Sequence, residues 1–335
     1  MQDPAPYAGL TPDVVLDALD SVGVSGDGRL LALNSYENRV YQVAMEGEPP
    51  YVAKFYRPNR WTDAQILEEH AFVHELSESE IPVVAPLELG GNGTLFTFGG
   101  YRFAVYPNCR GRAPELEDRA TREWLGRFIG RIHAVGARAP FIERPALDIA
   151  GFGEEPRDWL IAHDFIPADL IDAYRAVIEL ALAGVRHCFE RAGAVPTLRL
   201  HGDCHVGNVL WLPEGLGHGT AAGPHFVDFD DSRGGPAIHD LWMLLSGDRD
   251  DMTRQLSDVL DGYEDFRDLD RGELYLIEAL RTLRLIHYAA WLARRWDDPA
   301  FPAAFPWFNT QRYWQDRILE LREQVAAMDE PPLAV

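Results

Sequence analysis

The chain has 335 residues, of which 47% are hydrophobic and 11% aromatic, so it can bury one large core or two smaller ones. This composition excludes a wholly disordered chain. A formal net charge of −22 argues against nucleic acids and anionic membranes as partners, because both are bound through Lys and Arg.

The N-terminal part of the chain alternates between helix and strand patterns. A Thr cap followed by Pro predicts a short helix in TPDVVLDALDSVG. Alternating apolar and β-prone residues predict antiparallel strands in RLLALNSYENRVYQVAM and PYVAKFYR, with a turn at 46–50. Apolar residues at helical spacing then predict a helix in TDAQILEEHAFVHELSESE. The segment APLELGGNGTLFTFGGYRFAVYP returns to a strand pattern with Gly-rich turns.

From about Asn108 onward, long helical patterns dominate. They are ATREWLGRFIGRIHAVGAR, ADLIDAYRAVIELALAGVRHCFERAG and RGELYLIEALRTLRLIHYAAWLARRW, interrupted by RLHGDCHVGNVLW and by the strand pattern GPHFVDFDD. We therefore expect an α+β fold with a β-rich N-terminal lobe at residues 1–107 and a helical C-terminal lobe at residues 108–335. A ligand is expected where the two lobes meet.

The cysteines and the N-terminal sequence indicate the cellular compartment of the protein. Cys109, Cys188 and Cys204 are widely spaced and odd in number, which favours neither a disulfide framework nor a CxxC zinc site. The first residues lack the basic and apolar regions of a signal peptide, and no apolar run is long enough to cross a bilayer. We expect a cytoplasmic protein without a membrane partner.

The stretch RLHGDCHVGNVLW carries polar residues among apolar ones. Asp203 precedes Asn208 by five positions, and Asp228 follows twenty residues later at the end of HFVDFDD. Phosphoryl transfer needs a carboxylate that takes the proton of the attacking hydroxyl, and oxygen ligands for the Mg²⁺ that bridges nucleotide phosphates. We predict Asp203 and Asp228 as catalytic residues, with Asn208 and Asp228 as ligands of Mg²⁺ and ATP as the co-substrate.

Three further residues are predicted to contact the nucleotide. Lys54 lies within the strand pattern YVAKFYR, where a buried ammonium needs a carboxylate partner. Glu69 is preferred over Glu68 for this ion pair, because its spacing from the apolar residues of the next helix turns it toward the sheet. Ser35, in the loop NSYENR, would contact phosphate together with nearby backbone N–H groups.

These motifs resemble a known superfamily. HGDxHxxN followed by a DFD strand is similar to the phosphotransferases that include aminoglycoside phosphotransferases, choline kinases and homoserine kinases, all with a protein-kinase-like fold. The longer stretches LNSYENRVYQV, VAKFYRPNRWTDAQILEEHAFVHELSESEIPVVAPL and YRFAVYPNCRGRAPELED resemble the bacterial stress response kinase A family. That resemblance implies an ATP-dependent serine/threonine protein kinase that also phosphorylates itself, with the roles given above for the site residues and with Ser35 in a lid over ATP. We expect the protein to be a monomer.

The sequence departs from typical protein kinases in several places. It has no GxGxxG, Gly202 stands where many have Arg, and Asp230 stands where DFG has Gly. Activation by a phosphorylated loop is therefore not expected, and Asp230 is left open as a metal contact. Two other functions are kept open: a kinase acting on choline, homoserine or an aminoglycoside, and a catalytically silent nucleotide-binding regulator.

Simpler interpretations apply to several neighbours of the site. His201 is expected to anchor the catalytic loop, Cys204 to pack in the core, and Asp240 to cap a helix and hold the same loop in place. The aromatic residues near the C-terminus are expected to pack between helices rather than to line an acceptor pocket; they are Trp291, Trp296, Trp307, Phe308, Tyr313 and Trp314.

Overall fold

The computed structural model describes residues 5–91, 93–212 and 223–335. The strands are β1 (Leu30–Ala32), β2 (Arg39–Val43), β3 (Tyr51–Phe55), β4 (Phe96–Phe98), β5 (Tyr101–Pro107), β6 (Leu198–Leu200), β7 (Val209–Leu212), β8 (Gly223–Phe226) and β9 (Arg233–Gly235). The α-helices are α1 (Pro12–Asp20), α2 (Asp63–Glu78), α3 (Arg119–Gly136), α4 (Glu155–Ala162), α5 (Ile171–Ala192), α6 (Ile238–Trp242), α7 (Arg249–Tyr263), α8 (Ile277–Arg294), α9 (Ala300–Ala304) and α10 (Gln311–Asp329). In the described part of the chain, no helix combines the length and apolar character needed to cross a membrane.

The chain divides into two compact units. The first comprises Met1–Glu117, Phe141–Arg144 and Asp203–Ser232, and the second comprises Asp118–Pro140, Pro145–Gly202 and Arg233–Val335. The first unit is built on a β-sheet and the second mainly on helices, as expected for the predicted α+β fold. The predicted lobes at residues 1–107 and 108–335 have other bounds than these units, because the first unit also includes Asp203–Ser232, and the lobes stay a prediction.

The first unit contains a five-stranded antiparallel sheet in the order β1-β2-β3-β5-β4. On one face, Ala53 and Phe55 of β3 pack into a core with Val15 and Leu19 of α1. Because side chains alternate along a strand, the intervening residue Lys54 belongs to the opposite face. The register places Lys54 beside Val40 of β2 and Ala104 of β5, at the middle of the sheet.

Helix α2 packs beside that opposite face. It begins at a capping box in which Thr62 accepts from the backbone of Gln65 and the Gln65 side chain accepts from the backbone of Thr62. Ile66 packs in a cluster with Ala104 and Tyr56. The predicted Thr cap and the helix that follows it are both confirmed.

A two-stranded antiparallel hairpin, β7 and β8, completes the first unit. Val209 pairs with Phe226, so the residues just outside this pair, Asn208 and Val227, are also neighbours. The backbone N–H of Val227 donates to the carbonyl of Asn208 at 3.0 Å. The hairpin therefore brings Asn208 next to the segment that begins with Asp228, although twenty residues separate the two in sequence.

In the second unit, helices α3 and α7 approach each other at glycines. A Cβ added to Gly126 of α3 would lie 1.9 Å from the carbonyl oxygen of Val259, and one added to Gly262 of α7 would lie 1.9 Å from that of Glu123. Real Cβ atoms do not come so close, so the two backbones touch only because both positions lack a side chain.

A buried hydrogen-bond network in the second unit holds the chain just before Asp203. Asp240 accepts from the backbone N–H groups of His201 and Gly202, at 2.8 and 3.0 Å. His133 bonds the same carboxylate at 3.0 Å and bonds the hydroxyl of Tyr263 at 3.0 Å. The expectation that Asp240 holds this loop is confirmed. It does not cap a helix, because α6 begins at Ile238 and Asp240 lies inside its first turn.

Most of the C-terminal aromatic set packs within the second unit, as predicted. Trp314, Phe308 and Tyr313 are at most 8% exposed and contact one another through their rings. Trp307 is the exception at 47% exposed. Trp314, Phe308 and Tyr313 are therefore part of the core of the second unit and do not form an open aromatic cage.

Candidate active site

Most of the predicted site residues line a single cavity within the first unit. The cavity has a volume of about 370 Å³. Its walls include five of the residues that the sequence analysis singled out: Ser35, Lys54, Glu69, Asn208 and Asp228. Its apolar side chains belong to residues within or next to the sheet, α2 and the β7–β8 hairpin: Leu33, Val40, Val52, Val73, Val84, Leu210, Val227 and Phe229. Such a cavity offers an apolar surface for a flat ring and polar groups for a charged tail.

Lys54 is the buried cation of the cavity. Its Nζ donates to Oδ1 of Asp228 at 2.8 Å and lies 3.3 Å from Oδ1 of Asp230. Burial alone would lower the pKa of Lys54, but Asp228 and Asp230 outweigh it and raise the pKa well above its usual value. The ammonium therefore stays charged, as an electrostatic partner for phosphate must.

Glu69 lies on the buried face of α2, as its helical spacing predicted, and is 2% exposed. The predicted ion pair with Lys54 takes a different form, because Asp228 and Asp230 lie nearer to the ammonium and Glu69 acts on it only through space. Burial raises the pKa of Glu69 to about 7, against the opposing effect of Lys54. The neighbouring Glu68 instead accepts hydrogen bonds from the backbone N–H groups of residues 142–144.

Asp203 and Asn208 are joined by hydrogen bonds across the loop that separates them. Nδ2 of Asn208 donates to the backbone carbonyl of Asp203 at 2.9 Å and approaches its Oδ2 at 3.4 Å. Because the amide nitrogen is used in this way, the side-chain oxygen of Asn208 is the atom available to a ligand in the cavity. Asp203 is therefore not part of the cavity wall, but it is hydrogen-bonded to Asn208, which is.

The backbone conformation of Asp228 differs from that of its neighbours. Asp228 has φ 60° and ψ 62°, in the left-handed region that few residues other than Gly adopt. The chain turns here from the strand into a short 3-10 helix at Phe229–Asp231. This turn leaves the side chain of Asp228 54% exposed at the cavity, while that of Asp230 is only 4% exposed.

Asp230 is held by several groups of the first unit. Arg60 contacts its Oδ2 and also pairs with Asp231 at 2.8 Å, and Asn38 donates to Oδ2 at 3.1 Å. Burial would raise the pKa of Asp230, but the charges of Arg60 and Lys54 lower it to about 2. Asp230 is therefore an ionised carboxylate whose Oδ2 is bound by Arg60 and Asn38 and whose Oδ1 faces the ammonium of Lys54.

Ser35 lies in the loop between β1 and β2. Its hydroxyl donates to the carbonyl of Asn38 at 3.1 Å, and both residues line the cavity. The same loop is tied to the N-terminal segment by Tyr7, whose hydroxyl donates to the carbonyl of Glu37 at 3.1 Å. The loop predicted to contact phosphate therefore has a defined position over the cavity wall.

The oxygen atoms of this site fit a magnesium ion. Asn208 offers an amide oxygen and Asp228 a carboxylate with exposed surface, and both are hard ligands. Within the described ranges, no group of three or more His, Cys, Asp or Glu side chains is arranged to hold a metal. The two oxygen donors of Asn208 and Asp228 suit an ion that takes few protein ligands and the rest from phosphate and water, as Mg²⁺ does in nucleotide complexes.

Sequence reasoning missed the residues that surround Asp230. Asn38 and Asp230 are separated by 192 positions, and Arg60 and Asp230 by 170. No local pattern reports such a contact. The only available signal was the buried character of HFVDFDD, which implies that a second carboxylate there needs a cationic partner.

Comparisons with known proteins identify the family of the chain. The family described as "Phosphotransferase enzyme family" matches residues 29–275. A stress response kinase A from Escherichia coli (strain K12) is 45% identical over 325 residues, covering 97% of this chain and 95% of that protein. A Salmonella typhimurium protein named serine/threonine protein kinase RdoA is 44% identical over 324 residues, with the same coverage of both chains.

Solved structures share the fold at low sequence identity. A microcompartment-associated aminopropanol kinase has a TM-score of 0.72 at 17% identity, covering 95% of this chain and 97% of that one. The amicoumacin kinase hAmiN, solved with AMP-PNP, Ca²⁺ and Ami, has a TM-score of 0.68 at 20% identity, covering 92% and 90%. The predicted kinase-like fold and the predicted family are both confirmed. The chain belongs to the stress response kinase A family, within the phosphotransferase enzyme family.

Proposed function

We propose that the chain is a monomeric, ATP-dependent serine/threonine protein kinase of a bacterial stress response, which uses Mg²⁺ and phosphorylates itself as well as other proteins. The observation that carries the proposal is that Ser35, Lys54, Glu69, Asn208 and Asp228 line one cavity. The name of one relative, serine/threonine protein kinase RdoA, supports the choice of a protein acceptor, and the name stress response kinase A supports a role in a stress response.

Each predicted site residue has its own role in the proposed phosphoryl transfer. Lys54, buried and charged, binds the nucleotide phosphates, and the loop with Ser35 covers them. Asn208 and Asp228 hold Mg²⁺, which would supply positive charge against the phosphate oxygens. Asp203 accepts the proton of the acceptor hydroxyl, and its carboxylate is oriented by the bond from Asn208.

Nucleotide binding can be tested through a cysteine of the cavity wall. Cys109 lines the cavity and is half-buried, whereas Cys188 and Cys204 are at most 1% exposed. Burial raises the pKa of Cys109, so alkylation is best measured at alkaline pH. We expect one thiol to react and MgATP to slow its reaction at least ten-fold. Lys54→Met should lose most of this protection, and equal labelling with and without MgATP would contradict the proposal.

The acceptor can be tested with labelled ATP and magnesium. We expect label on the chain itself and on a general protein substrate, and a loss of at least a thousand-fold in Asp203→Ala, because the proton then has no acceptor. Asp20→Ala, an exposed carboxylate at the end of α1, is the matched control. Asp228→Ala should abolish the Mg²⁺-dependent activity while the urea midpoint stays near that of the wild type.

The second candidate function keeps the chemistry and changes the acceptor. It is favoured by the structural neighbours, which include an aminopropanol kinase and an amicoumacin kinase. ATP turnover only in the presence of choline, homoserine, an amino alcohol or an aminoglycoside would reject the protein kinase in favour of this function. ATP binding without transfer to any acceptor would instead indicate a silent regulator.

A further inference from the structure

Asn38 joins three segments of the first unit and is itself buried, at 4% exposed. Its carbonyl accepts from the hydroxyl of Ser35 at 3.1 Å, within the loop between β1 and β2. Its Oδ1 accepts from the backbone N–H of Arg57 at 3.0 Å, and its Nδ2 donates to Oδ2 of Asp230 at 3.1 Å. Asn38 therefore connects the Ser35 loop to the segment after β3 through its side-chain acceptor and to the segment after β8 through its side-chain donor.

Arg60 supplies the charge at the same point. Its guanidinium contacts Asp230 and Asp231 and is only 12% exposed. Arg144 adds a donation from Nε to the carbonyl of Ser232 at 2.8 Å, and its Nη2 donates to the carbonyl of Asp230. The segment that starts at Asp228 is thus fixed through its side chains and through its backbone.

Asp230 cannot easily move from this position, since its oxygens are engaged by Arg60, Asn38 and Lys54. Removing these partners would leave an uncompensated buried charge, which would strongly destabilise the fold. Asp228, two residues earlier, has the most exposed side chain of the three carboxylates in this short segment.

We propose that Asn38 is a positioning residue that couples the Ser35 loop over the nucleotide to the carboxylate that binds the metal, with Asp230 as its anchor and Arg60 as the counter-charge. The inference rests on the proposed nucleotide site and deepens it. Its consequence is that damage at Asn38, outside the groups that touch phosphate or metal, weakens the binding of ATP and of Mg²⁺ together.

The test exchanges the two ends of the hydrogen bond. Asn38→Asp removes the donor and sets two carboxylates against each other, and Asp230→Asn removes the negative charge and leaves a single amide oxygen for Lys54, Arg60 and Asn38. Each single variant should raise both the Kd for ATP in calorimetry and the Mg²⁺ concentration for half-saturation about ten-fold or more, with kcat changed less than three-fold. The double exchange reverses donor and acceptor and should recover at least half of the loss on a logarithmic scale.

Arg102→Gln is the matched control. Arg102 also forms a partly buried ion pair in the first unit, with Asp63 at 2.9 Å, but it is not part of the cavity wall. It should leave both binding constants within two-fold of the wild type. Arg60→Lys, which keeps the charge, should bind ATP better than Arg60→Gln.

The outcomes separate this inference from the proposed function. Folded single variants that bind ATP and Mg²⁺ as the wild type does would overturn the coupling alone, as would a double exchange whose losses simply add. If Asn38→Asp does not fold, Asn38→Ser replaces it, because its shorter side chain cannot reach both partners, and unchanged binding there counts equally against the coupling. A wild-type protein that binds no ATP would overturn both proposals.

Discussion

Replacing Asp240 by Asn tests how the chain before Asp203 is held. The buried carboxylate accepts from His201, Gly202 and His133, and an Asn of the same shape has only one oxygen. With that oxygen in the place of Oδ2, the bond from Gly202 is lost and its N–H faces another donor. A hydrogen bond to a charged group contributes ~1.5–3 kcal/mol, and the two remaining bonds become neutral and weaker. We expect the free energy of unfolding to fall by about 3 kcal/mol.

Urea unfolding followed by tryptophan fluorescence measures this loss. Asp265→Asn is the control, because Asp265 also pairs with a cation of the second unit, Arg127, but is half exposed. That change should cost under about 1 kcal/mol. Asp240→Asn should also lower kcat, since His201 and Gly202 directly precede Asp203 in the chain. A free energy of unfolding within about 1 kcal/mol of the wild type would refute the reasoning that this buried carboxylate holds the loop.

Three further changes test other parts of the structure. Burial lowers the pKa of His70 from 6.5 to about 3, so the unfolded chain takes up a proton below pH 6.5 that the folded protein excludes. As the pH falls from 6.5 to 5, the free energy of unfolding should therefore fall by about 1.6 kcal/mol more in the wild type than in His70→Gln, and equal losses in urea titrations would contradict this. Gly126→Ala should lower the free energy of unfolding by ~3 kcal/mol or more, because its methyl group meets the backbone of α7; a wild-type urea midpoint would show that the helices can separate freely. Thr62→Ala should cost about 1 kcal/mol by removing the cap of α2, and Thr62→Ser should restore most of it in the same assay.

The parts of the site that the sequence predicts are those with a local signal. The strand pattern YVAKFYR placed Lys54 within β3, and helical spacing separated Glu69 from Glu68. Both patterns depend on the period of one element. The fold class followed for the same reason, since strand patterns precede helical ones along most of the chain.

Other features depend on contacts between distant segments. The anchoring of Asp230 by Asn38 and Arg60 joins residues 192 and 170 positions apart, and the close approach of α3 and α7 depends on glycines that look ordinary in sequence. The partner of Lys54 was misjudged for a related reason: Glu69 is nearer in sequence, but the turn at Asp228 brings two other carboxylates closer in space.

The first compact unit is formed by three separate stretches of the chain, which limits the use of truncated variants. A truncated product that stops at residue 117 would retain Lys54 and Glu69 but would lack Asn208 and Asp228, which belong to the same unit. Its hydrophobic cavity wall would be missing the β7–β8 hairpin as well. Deletion series are therefore a poor way to map ATP binding here, and point variants of the intact polypeptide are the appropriate tool.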